Sequence, residues 1–317
     1  MTESSIAVSS PGSQLQRLMK MAEAQPPLRT VVVHPVDALS LSAAVEAARQ
    51  GLIEPVLVGP AARIRKAAED GGIDLAAYEI IDVPHSHAAA AKACEIAARG
   101  DAAAIMKGAL HTDELMEAVV SAGSGLRTDR RMSHVFVLDV PSYPRPLLVS
   151  DAALNIAPDL ETKRDIVQNA IDCAQAMDVK NPKVAILSAV ETVNSRMVST
   201  IDAAALCKMA ERGQIVGGTL DGPLAFDNAV SPEAARTKGI VSMVAGCADI
   251  LIVPDIESGN MLAKQMFYLA NAQSAGIVMG ARVPIILTSR SDPEASRLAS
   301  CALAILVSQH RPGKYAR

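Results

Sequence analysis

Three polar clusters stand directly after short apolar runs, and their residue types suit an anion. Met106-Lys107-Gly108-Ala109 closes one run, Ser188-Ala189-Val190-Glu191 a second, and Thr288-Ser289-Arg290-Ser291-Asp292 a third. Lysine and arginine bring charge, serine and threonine bring hydroxyl donors, and glycine lets backbone N–H groups come close; together they fit a phosphate or another oxyanion. In the third cluster Asp292 and Pro293 are the residue types of a helix N-cap and first helical position, so a helix is expected to start there. Its free N–H groups and the planar guanidinium of Arg290 would converge on phosphate oxygens. A capped surface helix with a solvated arginine would use the same residues. A fourth segment, 217–224, carries Gly217, Gly218, Gly222 and Pro223, is followed by Asp227, and reads as a loop whose backbone approaches a ligand or another strand. Residues 255–264 read as one more strand-to-helix turn, with Asn260 as its cap.

Common nucleotide fingerprints are missing. No Gly-x-x-x-x-Gly-Lys-Ser/Thr occurs, and Gly123 and Gly125 follow a helix-like stretch without the third glycine of a dinucleotide turn. His85 and His87 lie close together, but a solvated loop explains them better than zinc, since no Cys/His ligand spacing accompanies them. No metal site is expected.

The elements that must position these clusters follow from periodicity. Short β-branched runs at 30–34, 54–58, 79–83, 102–106 and 133–140 alternate with Ala-rich helical text at 39–50, 61–70, 88–99 and 112–121. Such alternation implies βαβ units and mainly parallel sheets, and the nearly all-apolar runs fit strands covered by helices on both faces. Pro141, Pro144 and Pro146 then interrupt two apolar runs that can pair as a hairpin. The rhythm resumes with helices at 161–177, 200–212, 232–238, 260–271 and 293–309 and strands at 183–187, 214–217, 250–253 and 283–287. The expected fold is therefore α/β, with two α/β/α lobes, mainly parallel sheets and a cleft between them. One lobe would be 1–142 plus 287–317, the other 143–286.

Composition narrows the partners. The 317 residues carry 30 basic and 34 acidic side chains, a net charge of −4, and aromatics are 2 % of the chain. Neither bulk charge nor stacking platforms for nucleic acid are present. No run of 18 apolar residues spans a bilayer and no secretory signal opens the chain, so a cytoplasmic protein without a membrane partner is expected. Five scattered cysteines read as reduced thiols.

Taken in order, these segments resemble the phosphate acetyltransferase and phosphate butyryltransferase family. The matching words are Lys107-Gly108, Ser133-His134-Val135-Phe136, Asp151-Ala152-Ala153-Leu154-Asn155-Ile156-x-Pro158, Leu187-Ser188-Ala189-Val190-Glu191, Asp221-Gly222-Pro223-Leu224-x-x-Asp227, Ala248-Asp249-Ile250-Leu251, Gly259-Asn260 with Lys264, and Ser289-Arg290. The resemblance implies a fold like the isocitrate and isopropylmalate dehydrogenases and reversible transfer of a short acyl group, acetyl ahead of butyryl, between CoA and orthophosphate. It also implies no metal or redox cofactor, coenzyme A as a substrate, and a homodimer. Ser289 and Arg290 match the family's active-site pair. Asp292 and Asp227 are the nearest carboxylates by motif, with Glu191 third, and Lys107, Gly108, Ser188, Glu191, Gly222 and Pro223 are expected at the substrate. An arginine of acetyl-specific members falls here on Met116, and the family's proposed base on Ser296. Two other readings stay open: a metal- or NAD-dependent dehydrogenase on the same fold, which would need clustered aspartates that Asp227, Asp249 and Asp255 do not obviously form, and a non-catalytic CoA or acyl-phosphate binder.

Overall fold

The structure, a computed structural model, describes residues 12–288 and 292–310. The chain divides into two compact α/β units, one of 17–130 with the segment from 275 onward, the other of 131–274 with the chain up to residue 16. The divisions expected after 142 and 286 fall earlier in the chain. The division expected after 142 would have cut an antiparallel pair of hydrogen-bonded strands, and the one expected after 286 would have parted the short strand 285–286 from its parallel neighbour 104–107.

The first unit holds β1 (Leu28–Val33), β2 (Ile53–Gly59), β3 (Glu79–Asp82), β4 (Ala104–Lys107), β10 (Gln273–Met279) and β11 (Ile285–Ile286). They lie in the order β3-β2-β1-β4-β11-β10. All neighbours are parallel except β10 and β11. Helices α2 (Ala38–Arg49), α3 (Ala61–Gly71), α4 (Ser86–Arg99), α5 (Thr112–Val120) and α11 (Glu294–Gln309) connect or cover these strands. β10 and α1 (Ser13–Glu23) were not foreseen. Helix α11 packs on α2 and β11. Its Leu298, Ala299, Ala302, Ile305 and Leu306 are all buried within the chain, so this apolar helix leaves no spare face for a partner.

The second unit holds β5 (Ser133–Asp139), β6 (Leu147–Ser150), β7 (Lys183–Leu187), β8 (Thr219–Leu224) and β9 (Ile250–Ile252) in the order β5-β6-β9-β7-β8. The proline-flanked runs do pair, as antiparallel β5 and β6, and the rest is parallel. Helices α6 (Leu160–Ala176), α7 (Val198–Glu211), α8 (Phe226–Val230), α9 (Pro232–Thr237) and α10 (Ile256–Leu269) complete it. Leu138, Val149, Ala185, Leu251 and Val253 build its core from small and branched side chains. Exposed apolar residues sit on α7 (Val198, Ile201) and α10 (Met261, Tyr268, Leu269).

Three element boundaries differ from expectation for local reasons. No strand forms over 214–217, because Gly217 takes a φ of 84°, outside extended geometry. The strand is instead Thr219–Leu224, so Gly222 and Pro223 lie within an edge strand, where a residue without an N–H is tolerated. Helix α10 starts four residues before Asn260: Asp255 accepts the Ser258 N–H at 2.8 Å and Ser258 returns the contact, a capping box. Helix α11 starts at Glu294 with Pro293, not Asp292, in the cap position.

Parallel register brings the strand ends into backbone contact. Val33 lies opposite both Val58 and Lys107, so the turn after β4 meets the end of β1. Gly108 donates to the Val33 carbonyl at 2.9 Å, and a Cβ at this position would lie 2.4 Å from that oxygen. We predict that Gly108→Ala costs about 3 kcal/mol, because backbone must move to admit the methyl. Gly123→Ala, where nothing lies within 4 Å of the new carbon, should stay within about 0.5 kcal/mol. Urea unfolding of both variants checks the contrast, and equal midpoints would contradict it.

Candidate active site

In each unit the parallel strands end on one edge, and the polar clusters leave from those edges, the usual ligand edge of α/β sheets. At the first unit's edge Lys107 ends β4. Its Nζ donates to the carbonyls of Gly108 and Leu110, both at 3.2 Å, so the ammonium is folded over its own turn. Next to it, β11 runs out through Leu287 into Thr288, which is buried. Ser289 and Arg290 lie outside the described residues. Beyond them the Asp292 carbonyl accepts from Arg297 Nη1 at 2.5 Å, which ties the entry of α11 to its own first turn. Met116 and Ser296 are both buried, on helices α5 and α11.

At the second unit's edge four parallel strands deliver Asp151, Ser188, Asp255 and, beyond β8, Asp227. The Ser188 N–H donates to the Leu224 carbonyl at 2.9 Å, and its hydroxyl lies 2.8 Å from that of Ser199 and 3.3 Å from Met197 Sδ. Glu191 and Asp227 are brought together by a residue that the sequence did not flag. Lys238, one residue past α9, hydrogen-bonds Glu191 and lies 3.9 Å from Asp227 Oδ2. Asn228 donates to the same Glu191 oxygen. The Lys238 hydrogen bond holds the Glu191 carboxyl below the ordinary carboxylate range. A carboxylate held that way is a weaker proton acceptor than an ordinary glutamate. Gly222 is consumed by packing, since a Cβ there would lie 2.8 Å from Ile186. Asp249 is tied to Arg145 at 3.2 Å and to the Lys183 N–H at 2.9 Å, away from Asp227 and Asp255.

Asp151 lies in a quoted motif, but its role becomes visible only in the fold. Its side chain is buried and accepts from the N–H groups of Ala153, Leu154 and Asn155 at 2.9 to 3.1 Å. The Asn155 amide also donates to it, and to the Met132 carbonyl. Gly259 on α10 packs so closely on this turn that a Cβ would lie 2.7 Å from the Asp151 carbonyl oxygen, and Asn260 Nδ2 donates to the Ala152 carbonyl at 3.2 Å. Asp151 thus sets the turn after β6 and the seat of the α10 N-terminus. Its four donors were invisible in the sequence because three of them are backbone.

Four of the protein's five thiols are poorly suited as nucleophiles. Burial pushes Cys94 up to about 11 and Cys173, Cys207 and Cys301 up to about 12. His85 caps α4 by accepting the Ala88 N–H, and His87 lies 2.9 Å from Glu114, so each has a structural partner. Among the described residues no group of three or more such side chains could hold a metal ion, and no helix is long and apolar enough to cross a membrane.

The family model described as phosphate acetyl/butaryl transferase matches residues 85–305. A phosphate acetyltransferase of Rhizobium meliloti is 60% identical over 299 residues, which is 94% of this chain and 95% of that one. A phosphate butyryltransferase of Clostridium acetobutylicum is 42% identical over 271 residues, 86% and 90% of the two chains. Among solved structures, a branched-chain phosphotransacylase from Enterococcus faecalis V583 matches with a TM-score of 0.78 at 29% identity, over 90% of this chain and 100% of that one.

Removing the Asp151 carboxylate leaves buried backbone donors without an acceptor. Asp151→Ala is expected to cost about 3 kcal/mol, with Asp151→Asn recovering part of it through its remaining carbonyl. Denaturant midpoints measure this; an Asp151→Ala midpoint equal to that of the parent would remove Asp151 from its structural role.

Proposed function

The chain belongs to the phosphate acetyltransferase and phosphate butyryltransferase family, and we propose on that premise that it moves acetyl in preference to butyryl between coenzyme A and orthophosphate. The observation that carries the acetyl preference is the greater identity to the acetyl-transferring relative over nearly the whole chain. In the direction of thioester synthesis the CoA sulfur attacks the acyl carbonyl of the acyl phosphate. The C–S bond forms, the C–O bond to phosphorus breaks, orthophosphate leaves, and the thiol proton passes to a base.

The task for the protein is to hold two anions, neutralise the departing phosphate and take one proton. A free thiol titrates near pH 8.5, so cations close to the sulfur or a nearby carboxylate must assist. In our reading Arg290 grips the phosphoryl oxygens with its bidentate fork, and the Ser289 hydroxyl orients the sulfur. Lys107, at the same strand edge, adds charge, and Asp227 or Asp292 takes the proton. Each donor aimed at the developing charge is worth on the order of 3 kcal/mol. The scheme calls for no metal or redox cofactor, and CoA enters as substrate. Reduced thiols fit a cytoplasmic setting; all five cysteines are free.

We also propose a homodimer. Val198 and Ile201 on α7 and Met261, Tyr268 and Leu269 on α10 are exposed apolar side chains of the kind an interface covers. A single-chain mass by light scattering at micromolar concentration would contradict it.

The deciding kinetics measure phosphate-dependent CoA release from acetyl-, propionyl- and butyryl-CoA side by side, with acetyl-CoA expected to give the highest kcat/KM. Arg290→Ala should lower turnover by about 100-fold or more, Arg290→Lys should restore little, and Ser289→Ala should fall less. Arg290→Ala within about threefold of the parent in both directions would end the phosphate-clamp assignment.

A further inference from the structure

The end of β1 carries an unusual residue outside every motif quoted above. His34 takes a φ of 56°, a left-handed conformation that non-glycine residues rarely adopt away from functional or strained sites. It is only 5 % exposed, and its Nδ1 is fully buried with no hydrogen-bond partner. Its backbone joins three strand ends: the N–H donates to the Val58 carbonyl of β2 at 2.7 Å, and the carbonyl accepts from Val36 at 2.9 Å and from Ala109, after β4, at 3.0 Å. Both neighbouring strand ends are glycine. A Cβ on Gly59 would lie 3.3 Å from His34 Cα and 3.6 Å from Nδ1, and a Cβ on Gly108 would lie 3.0 Å from the His34 carbonyl. The imidazole is therefore wedged at the joint that shapes the Lys107-Gly108 turn.

We propose that His34 is a positioning residue, holding the Lys107-Gly108 turn in its substrate-binding form while the imidazole is neutral and releasing it when the imidazole is protonated. The inference rests on the acyltransferase reading, in which Lys107 and Gly108 contact substrate. The charged and titratable groups that face the ring are Arg63 on α3, Glu114 on α5, and Asp37 and His85 at the caps of α2 and α4. Burial and the Arg63 guanidinium hold the proton affinity of His34 below its ordinary value, outweighing the carboxylates of Glu114 and Asp37. A proton arriving there charges a buried ring beside a cation. Relief comes from movement of the ring out of the joint, which strains the Ala109-to-His34 hydrogen bond and the turn that carries Lys107.

The sign follows from the lowered proton affinity. The unfolded chain takes up the proton first, so the contribution of neutral His34 to stability is complete above its ordinary pKa and is lost as pH falls through and below it. Substrate affinity should fall further toward acid, as the folded chain itself takes up the proton at its lowered affinity, because only the neutral fraction is competent.

The experiment follows initial rates with acetyl-CoA and phosphate, and melting temperature, between about pH 7.5 and 5.5. It uses the parent chain, His34→Asn, which tolerates the left-handed backbone but cannot titrate, and Arg63→Met, which removes an exposed cation. In the parent, KM for acetyl-CoA should rise about threefold or more toward acid, with kcat changing less. His34→Asn should flatten both the KM rise and the acid loss of melting temperature. Arg63→Met should shift the KM rise to higher pH and shrink the acid loss of melting temperature. An unchanged acid KM rise in His34→Asn, or an unmoved one in Arg63→Met, overturns the proposal; if His34→Asn does not fold, Arg63→Met decides alone. If the parent turns over none of the acyl-CoA substrates at any pH, the acyltransferase reading fails separately, and the melting profiles of the three proteins still test the His34 joint.

Discussion

Parallel pairing constrains everything else in this molecule. A parallel strand can be followed by its neighbour only after a crossover, so all parallel strands of a sheet end on the same edge, and their exit turns crowd together there. In the first unit Val33 is opposite Val58 and Lys107 at once, and the backbone after each strand competes for the same few ångströms. Gly108 is a glycine because its neighbours leave no room for a side chain, and at Gly59 a side chain would be crowded. In the second unit the same pressure places Gly259 against the Asp151 carbonyl. The polar residues that suit two anionic substrates are delivered to these edges as a consequence of the topology.

Regular elements were legible where apolar periodicity was unbroken. β7 runs over Lys183–Leu187 as expected because, after Lys183, it is one unbroken apolar run, and α3 and α5 match to within a residue because their buried positions recur with the helical period. Edges and caps were harder. β8 contains Gly222 and Pro223, which read as a loop; only its place at the sheet edge makes a strand possible. α10 begins at Ile256 because the Asp255–Ser258 capping box outcompetes Asn260, a choice between two good caps that spacing alone does not make. Neither division between the units could be read from proline positions, since strand pairing decides which side a hairpin belongs to.

The candidate site was legible as residue types and much less as partnerships. Glu191 and Asp227 stood out, but Lys238, which joins them, follows a short helix and carries no signal of its own. Asp151 was visible as part of a word, whereas its work is done by backbone donors that no residue type announces. His34 was hidden because a histidine after an apolar strand is ordinary; its backbone angle and burial set it apart. The resemblance to acyltransferases supplied the order of the words, and the fold explains why words far apart in the chain leave from the C-terminal ends of neighbouring strands.

The central claim is that these edges hold CoA and phosphate for acyl exchange between them. Phosphorus NMR of the full chain with acetyl-CoA and orthophosphate tests it most directly, because it watches the new acyl–phosphate bond itself. The account predicts an acetyl phosphate resonance that grows only when chain, acetyl-CoA and phosphate are all present, and that shrinks again when excess CoA is added. Release of CoA without any acyl phosphate resonance, or none at all, would contradict it.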